Sequence, residues 1–299
     1  RMFVGVSTFK DRYKRVFLNN ETTLEIEALY YQLDQLIPNS HTTSIVSSNY
    51  QSTTFVIKNT APNDPGSYYL IHNNTIKYLG NVKPFLEPNE LAELSYISYP
   101  SSDDTVIHAY VHTPKGDGPF PLVVMPHGGP FVEEKILFDE WPQFFANNGY
   151  MVIQPQYRGS YGYGMDFHKK AFINGGEGGK KMQDDLDYGA KYLIQNGTVD
   201  KDNVFMFGWS YGGYTSLIAS MNDEKLYKCV VAGAAVADTI QQYNYYGSRL
   251  EGAQKVRQES YSKESVNPID HIDDIKVPLL MIHGDNDQRV PIKHAYKFV

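Results

Sequence analysis

The sequence predicts an α/β protein with a mostly parallel sheet and helices on both of its faces. From residue 89 onward, short apolar runs alternate with stretches of helical periodicity, and this alternation is typical of a parallel sheet. Residues 1–88 differ, because their strand-like runs are separated by turns rich in Asn, Gly, Asp and Pro. The chain of 299 residues is also longer than one typical domain. We therefore expect two units, joined by a hinge at residues 84–89.

The first unit, residues 1–88, is predicted to be a partial β-propeller. Strand-like runs lie at residues 15–18, 53–57 and 68–71, and the spacing of leucines between residues 24 and 36 predicts a helix among them. Two of these runs are loosely similar at an offset of about 50 residues, within the range of a propeller blade. A propeller needs about four blades or more. This segment has material for one or two, so we expect an incomplete propeller.

The second unit, residues 89–299, carries the α/β pattern. Residues 105–112 alternate as in an exposed strand. Buried strands are predicted at 121–125, 149–153, 204–207, 229–232 and 278–282, and helices at 141–148, 182–195 and 214–221. Ligands of such a sheet bind at the carboxyl ends of its strands.

Residues 208–212, with the sequence Gly-Trp-Ser-Tyr-Gly, have the form of a nucleophile elbow between a strand and a helix. In such a turn the hydroxyl of the central serine, here Ser210, is held in the open, and small flanking residues let neighbouring backbone pass close by. The turn puts the amide of Tyr211 at a helix N-terminus, where it stabilises a developing oxyanion. The alternative interpretation is a glycine-rich turn with a chance serine.

An oxyanion hole needs a second amide, and residues 127–130, His-Gly-Gly-Pro, follow the predicted strand 121–125. An α/β-hydrolase fold places that amide in this loop, so we assign the Gly129 amide as the partner of Tyr211. His127 is predicted to be structural, because a base there breaks the chain order Ser, Asp, His of this fold. The elbow and this loop together predict an α/β-hydrolase fold preceded by the partial propeller.

The acid predicted for Ser210 is Asp287, which follows the strand 278–282 in the required order. Asp285 is the local alternative, and a solvated acidic turn is the alternative for both. His294 follows Asp287, but it lies in a predicted helix that leads away from the strand, so we expect it to face solvent or pack along the sheet. We therefore expect no catalytic histidine in this chain, and a domain that stops before its last strand.

Composition excludes some classes of function. The net charge of −7 is spread without blocks, which argues against a nucleic-acid partner, and no run is apolar for long enough to cross a membrane. The single cysteine, Cys229, lies in an apolar run and is predicted to be a buried structural thiol. The nine histidines show no pattern of a zinc site, so neither a metal nor a cofactor is predicted. Residues Arg1–Val4 show no signal-peptide pattern, and a cytoplasmic location is the expectation.

From Leu91 to Val299 the sequence resembles the catalytic domain of the prolyl oligopeptidase family, in its acylaminoacyl-peptidase and dipeptidyl-peptidase-like branch. The resemblance is carried by four segments in the family's order. They are residues 127–130 (His-Gly-Gly-Pro), 157–164 (Tyr-Arg-Gly-Ser-Tyr-Gly-Tyr-Gly), 208–214 (Gly-Trp-Ser-Tyr-Gly-Gly-Tyr), and 283–291, where His-Gly leads to Asp-Gln-Arg-Val-Pro.

The resemblance implies a serine peptidase of short or N-acylated peptides, with the propeller screening the site. It implies Ser210 as nucleophile, Asp287 as acid, and Arg289 as the residue that holds a substrate carbonyl, for which a planar guanidinium is suited. A surface ion pair is the alternative for Arg289. The family's histidine lies past Val299, so this chain alone is expected to be inactive.

The resemblance also places part of the S1 pocket at residues 238–246, with Tyr243 and Tyr246 as candidate substrate-binding residues. An ordinary amphipathic helix is the alternative there. Arg158, in a glycine-rich loop, is predicted to be an architectural salt-bridge partner.

Two rival functions stay open at this point. One is a carboxylesterase with the same acyl-enzyme chemistry, and the other is a non-catalytic scaffold that has kept the elbow without the base. The exopeptidase or endopeptidase mode and a homo-oligomeric state also stay open.

Overall fold

In a computed structural model of the protein, residues 5–222 and 224–299 are described. Residues Arg1–Val4, which show no signal-peptide pattern, lie outside the described residues. Contacts divide the chain into two compact units. The first comprises residues up to Leu94 together with Lys135–Asn147, and the second comprises Ser95–Glu134 and Asn148–Val299.

The first unit contains two antiparallel sheets and two helices. Its strands are β1 (Gly5–Phe9), β2 (Tyr13–Phe17), β3 (Thr42–Ser48), β4 (Thr54–Ala61), β5 (Asp64–His72) and β6 (Thr75–Asn81), and its helices are α1 (Glu21–Leu36) and α2 (Glu140–Asn147). Strands β1 and β2 pair with each other, and β3 to β6 form a four-stranded meander in sequence order. Such a meander is the architecture of one propeller blade, so the propeller part of the predicted fold is present.

Helix α1 is the interposed helix that the leucine spacing predicts. It begins after Asn20, whose side chain accepts a hydrogen bond from the Thr23 amide at 3.1 Å, and the Thr23 hydroxyl accepts one from the Asn20 amide. This capping box satisfies two amides that the first turn leaves unpaired. The helix buries an apolar face against β4 and β5, with a small core of Leu33, Ile37, Phe55, Ile57 and Ile71.

The second unit is built on one seven-stranded sheet. The strands are β7 (Glu93–Pro100), β8 (Val106–Thr113), β9 (Phe120–Val124), β10 (Met151–Gln156), β11 (Val199–Trp209), β12 (Cys229–Gly233) and β13 (Leu279–Ile282). The helices are α3 (Met165–Lys169), α4 (Lys181–Gln195), α5 (Tyr211–Met221), α6 (Thr239–Tyr246), α7 (Gly252–Glu264) and α8 (Lys293–Phe298). Short 3-10 segments of this unit lie at Gly247–Arg249 and Pro268–Asp274, and a further one, Pro88–Glu90, belongs to the first unit.

The strand order of this sheet is β13-β12-β11-β9-β10-β8-β7. Neighbouring strands from β13 to β10 run parallel, and β8 runs antiparallel to β10. The mostly parallel sheet predicted from the alternation of strands and helices is therefore confirmed. Strands β11, β12 and β13 are adjacent, so the turn after β13 begins two strands away from the turn after β11.

The predicted exposed strand at residues 105–112 is wrong in one respect. Strand β8 forms there, but it lies between β7 and β10 and is mostly buried, with Ile107 and Ala109 fully so. The apparent alternation arose from His108 and His112, polar residues that the sheet encloses to different degrees. Polarity along one strand does not show how many neighbours flank it.

The core of the second unit encloses the elements that carry the motifs. Residues Tyr211–Ser220 of α5 are all buried, so this helix is held on every side.

Cys229, the first residue of β12, is only partly buried rather than fully enclosed, and burial raises the pKa of its thiol. No helix in the described part of the chain is long and apolar enough to span a membrane.

Candidate active site

Ser210 lies at the junction of β11 and α5 in a backbone conformation that a serine rarely adopts, with φ 60° and ψ −113°. Its amide donates to the Gly233 carbonyl at 2.8 Å, and its carbonyl accepts from the Tyr214 amide at 3.0 Å. These bonds from β12 and α5 hold the strained turn. Ser210 itself is only partly buried. The geometry is that of a nucleophile elbow, with the serine side chain at a cavity wall.

Two glycines of the elbow are required by close backbone contacts. A Cβ on Gly208 would lie 2.0 Å from the Gly212 carbonyl oxygen, and one on Gly212 would lie 2.3 Å from the Pro126 carbonyl oxygen. Neither position can hold a side chain unless the backbone moves. The pattern of glycines around Ser210 therefore reflects how tightly β9, β11 and α5 approach one another.

The loop after β9 packs against the elbow at Gly128. A Cβ on Gly128 would be 3.4 Å from the Trp209 carbonyl oxygen and 3.5 Å from the Ser210 Cβ. The next residue, Gly129, has φ +125°, a conformation that favours glycine, and it lines the same cavity as Ser210 and Tyr211. Tyr211 is the first residue of α5, so its amide lies at the positive end of the helix. The two residues assigned to the oxyanion hole thus line one cavity together with the serine.

That space is a cavity of about 350 Å³ within the second unit. Of the residues predicted for the site, it brings together Gly129, Ser210, Tyr211, Tyr243, Tyr246 and Arg289. Asp287 is not among its lining residues.

Asp287 lies immediately behind the cavity wall, in the turn after β13. Its Oδ1 accepts hydrogen bonds from the amides of Arg289 at 2.8 Å and Val290 at 2.9 Å, and both of those residues line the cavity. Asp285 is exposed and has no comparable backbone bonds. The turn therefore fixes the carboxylate of Asp287 rather than that of Asp285, and leaves its Oδ2 free of backbone amides.

No histidine of the described residues lines the cavity, and the Ser210 hydroxyl has no hydrogen bond among them. His294 is fully buried, its Nδ1 accepts from the Asp238 amide at 3.2 Å, and burial lowers its pKa to about 4. It packs inside the fold rather than facing solvent. The Nε2 of His283 is 4.0 Å from Asp287 Oδ2 but 2.8 Å from the Val290 carbonyl oxygen, to which it donates.

His127 has a structural position, as predicted. Its Nε2 is 3.0 Å from the Ser160 hydroxyl, its Nδ1 is 2.7 Å from the Gly128 carbonyl oxygen, and the Tyr157 ring stacks on it. Burial lowers the pKa of His127 to about 4, so the ring is neutral near pH 7. It fixes the loop that carries Gly129.

Tyr243 and Tyr246 lie on α6 and line the cavity. The segment is therefore a helix, as one interpretation has it, and it also contributes to a pocket, as the other has it. The Tyr243 hydroxyl donates to Glu259 at 3.0 Å.

Arg289 is exposed, and no carboxylate lies within 4.0 Å of its guanidinium among the described residues, so the surface ion pair is not formed there. Its carbonyl oxygen accepts from Gln242 at 2.8 Å, which joins the Asp287 turn to α6.

Arg158 is an architectural residue, and this prediction is confirmed. Its guanidinium is buried and contacts Asp185 Oδ1 at 2.7 Å and Asp103 Oδ2 at 2.9 Å. Hydrogen bonds from Arg158 hold the pKa of Asp103 well below its ordinary value. The pair ties the glycine-rich loop to α4.

Sequence reasoning did not find the part of the cavity that α7 contributes. Residues Gln254, Arg257, Gln258, Tyr261 and Ser262 line it from this helix. Their spacing of three and four residues along α7 was the available signal. The signal is weak because most of these residues are polar and resemble an exposed helix face.

Several known proteins are similar to this chain in sequence. The model of the prolyl oligopeptidase family matches residues 137–299. Dipeptidyl aminopeptidase BIII of Pseudoxanthomonas mexicana is 30% identical over 258 residues, covering 79% of this chain and 37% of the relative. The acylamino-acid-releasing enzyme of Homo sapiens is 28% identical over 223 residues, covering 69% of this chain and 29% of the relative. The chain thus spans less than half the length of these relatives.

Solved structures show the same fold. The acylaminoacyl peptidase of Pyrococcus horikoshii matches with a TM-score of 0.71 at 19% identity, covering 98% of this chain and 46% of that one. A puromycin-hydrolyzing peptidase of Mycobacterium tuberculosis matches with a TM-score of 0.70 at 21% identity, covering 88% and 42%. The family match includes both the elbow and the Asp287 turn and extends over more than half of the sequence, so the chain belongs to the prolyl oligopeptidase family.

Proposed function

We propose that this chain carries the nucleophile, the oxyanion hole and the acid of a serine peptidase that cleaves short peptides. The observation that supports this most is that one cavity is bordered by Ser210, by Gly129 and Tyr211, and by Arg289. A peptide carbonyl placed there meets a hydroxyl, two backbone amides and a guanidinium. These are the groups that amide hydrolysis through an acyl-enzyme requires, apart from a base.

The proposed reaction has two halves. The Ser210 Oγ attacks the scissile carbonyl while a base takes its proton, and the negative oxygen of the tetrahedral intermediate accepts from the Tyr211 and Gly129 amides. The C–N bond breaks, the base returns the proton to the leaving amine, and an ester on Ser210 remains. Water then attacks this ester while the same base takes one of its protons. The C–Oγ bond breaks, the base returns that proton to the Ser210 Oγ, and the carboxylic acid is released.

Asp287 orients the base in this proposal. Its Oδ1 is occupied by two backbone amides, so Oδ2 is the atom available to accept from an imidazole N–H. Because no histidine of the described residues lines the cavity, we place the base outside residues 1–299.

Peptides are the substrate class that the comparisons support. The relatives are named a dipeptidyl aminopeptidase and an acylamino-acid-releasing enzyme, so both free and acylated amino termini are candidates here. Arg289 is proposed to hold a substrate backbone carbonyl, and Tyr243 and Tyr246 to contact a substrate side chain. A carboxylesterase shares the acyl-enzyme chemistry, and a ratio of amide to ester hydrolysis far below that of relatives would favour it.

A fluorophosphonate probe tests the nucleophile directly. We expect Ser210 to be labelled in the polypeptide extended past Val299, with the adduct mapped by peptide mass spectrometry and absent from Ser210→Ala. The chain of 299 residues should be labelled much more slowly, since loss of the base of a triad costs about a millionfold in turnover. Ser102→Ala, an exposed serine remote from the elbow in sequence, is the matched control and should not alter labelling.

Two other results would change the proposal. Rapid labelling confined to Ser210 in this chain would contradict the placement of the base outside it, and His294 would be the first histidine to replace. No labelling of either polypeptide would overturn the peptidase and favour a non-catalytic scaffold.

A further inference from the structure

The charged residues that line the Ser210 cavity are all of one sign. Among the described residues they are two arginines, Arg257 and Arg289, and no aspartate or glutamate lines it. The whole chain has a net charge of −7, so this wall is opposite in sign to the protein as a whole. A cavity lined by one sign of charge raises the local concentration of ligands of the other sign.

Arg257 projects into the cavity from α7 and is held in a defined position. Its guanidinium carbon lies 4.5 Å from the centre of the Phe131 ring and 5.4 Å from that of Phe172. Its Nη1 is 3.1 Å from His168 Nε2. Aromatic faces suit the flat guanidinium, which stacks on them with little loss of its in-plane hydrogen bonding.

His168 has the tautomer that accepts from this arginine. Its Nδ1 is 2.6 Å from the Gly159 carbonyl oxygen, which can only accept, so Nδ1 carries the proton. Nε2 then has a lone pair facing Arg257 Nη1. His168 is buried, so this acceptor is fixed in place.

Among the described residues, most donors of Arg257 have no acceptor. The side chain has five N–H donors, and among the described residues the structure gives an acceptor to one of them, at His168. The Nε atom is buried without any partner, and no carboxylate of these residues lies within 4.0 Å of the guanidinium. Unlike Nε, the Nη2 atom is not enclosed, and it has no partner among these residues, so its donors and the second Nη1 donor remain for an acceptor that enters the cavity.

We propose that Arg257 binds a carboxylate of the peptide that enters the Ser210 cavity. A guanidinium fork matches a carboxylate with two parallel hydrogen bonds, a geometry that a neutral amide cannot reproduce at equal strength. The carboxylate is either the side chain of an Asp or Glu residue or the C-terminal carboxylate of a short peptide. The inference rests on the proposed function for its choice of ligand class, and Arg257 is assigned as a specificity-determining residue of that site.

Equilibrium binding to the Ser210→Ala chain tests this without any turnover. The probes are fluorescent N-acetyl tetrapeptide amides in which one Glu or one Gln moves through the four positions, and matched Gln peptides with a free C-terminus. We expect at least one carboxylate peptide to bind about tenfold more tightly than its neutral partner, because a charge-assisted pair adds this much or more. The Glu series and the free C-terminus distinguish the two sources of the carboxylate.

Variants then assign the effect to Arg257. Arg257→Gln should abolish the preference for the carboxylate, and Arg257→Lys, which keeps the charge without the fork, should reduce it. Arg249→Gln is the matched control, because Arg249 is an exposed cation that stacks on Tyr245 and Tyr246 nearby but does not line the cavity. This variant should retain the preference.

Equal affinity for carboxylate and neutral peptides in the Ser210→Ala chain would overturn the inference, even if Arg257→Gln did not fold. A preference unaffected by Arg257→Gln or Arg257→Lys would also overturn it. The proposed function fails separately: a carboxylate preference without fluorophosphonate labelling at Ser210 would contradict the peptidase alone, and labelling without the preference would contradict the role of Arg257 alone.

Discussion

Gly208, two residues before Ser210, lies against the backbone of Gly212 at the start of α5. The approach is so close that no side chain fits between them, and the φ of 60° at Ser210 depends on it. The rare backbone conformation of Ser210 is thus produced by packing around the serine rather than by any preference of the serine itself.

Gly208→Ala should therefore destabilise the second unit. The added Cβ meets the Gly212 carbonyl oxygen at 2.0 Å, and overpacking of this kind costs about 3 kcal/mol of the free energy of unfolding. Urea unfolding followed by circular dichroism measures the loss. Gly284→Ala, where a Cβ meets nothing within 4 Å, is the control and should change stability little. An unchanged midpoint for Gly208→Ala would show that the elbow is not tightly packed.

The sequence could predict the residues of the elbow because their spacing follows from backbone geometry within one turn. Ser210 and Tyr211 are fixed by a strand, a tight turn and a helix that are contiguous in the chain. The choice between Asp287 and Asp285 needed the structure, since it depends on which carboxylate accepts the amides of Arg289 and Val290. Arg257 was not predicted, because its position in the cavity wall is set by neighbours far away in the sequence.

At the scale of elements, helix α4 buries an ionisable network on the face that packs in the core. Asp187 is buried, and its carboxylate accepts from Tyr227 at 2.7 Å, Gln183 at 3.0 Å and Asn222 at 3.0 Å. Burial raises the pKa of Asp187 to about 6 despite these bonds. The Gln183 Oε1 has no hydrogen-bond partner among the described residues, so this oxygen can still accept a hydrogen bond from a donor within the network.

This pKa predicts how stability depends on pH. The folded state keeps the Asp187 proton up to about pH 6, whereas the unfolded chain loses it near its ordinary pKa of 3.8, so the free energy of unfolding falls as pH rises through this window. Asp187→Asn removes that dependence, and its new amide can donate to Gln183. Relative to the parent chain, the variant should gain about 2 kcal/mol between pH 4 and pH 7.

Urea midpoints at pH 4, 5, 6 and 7 measure the effect. Asp117→Asn, which removes an exposed carboxylate that does not act on Asp187, is the control and should leave the pH profile of the parent chain in place. Parallel profiles for Asp187→Asn and the parent would show that the carboxyl is not held protonated.

The elements most readily predicted were those with a strong local period, such as α1, α4 and the parallel strands. The exposure of strand β8 was misjudged because the burial of a strand depends on which strands flank it. The residues of one strand do not determine the order of strands in the sheet. Helix α7 was not predicted, since its cavity face is polar and has no apolar stripe.

At the scale of the whole molecule, the chain combines an overall negative charge with a cavity wall that carries two arginines. The net charge follows from counting residues in the sequence. The pair of arginines in one cavity wall depends on the fold, which brings residues 257 and 289 to the same cavity. The sequence predicted a hinge at residues 84–89, whereas contacts end the first segment of the first unit at Leu94. The assignment of Lys135–Asn147 to the first unit was not visible in the sequence, because contacts rather than sequence order decide it.

Cys229 is the one cysteine of this sequence, and it begins β12, the strand between β11 and β13. A maleimide that reacts with this chain therefore reports on a single position, between the strand that leads to Ser210 and the strand that leads to Asp287. Burial raises the pKa of the thiol, so we expect modification of the folded chain to be at least about tenfold slower than in urea. Intact-mass spectrometry follows the reaction, Cys229→Ser sets its background, and equal rates in both conditions would contradict the partial burial. The rate of this one alkylation reports how accessible the start of β12 is, and slowing by a bound peptide would show that a ligand in the cavity reduces that accessibility.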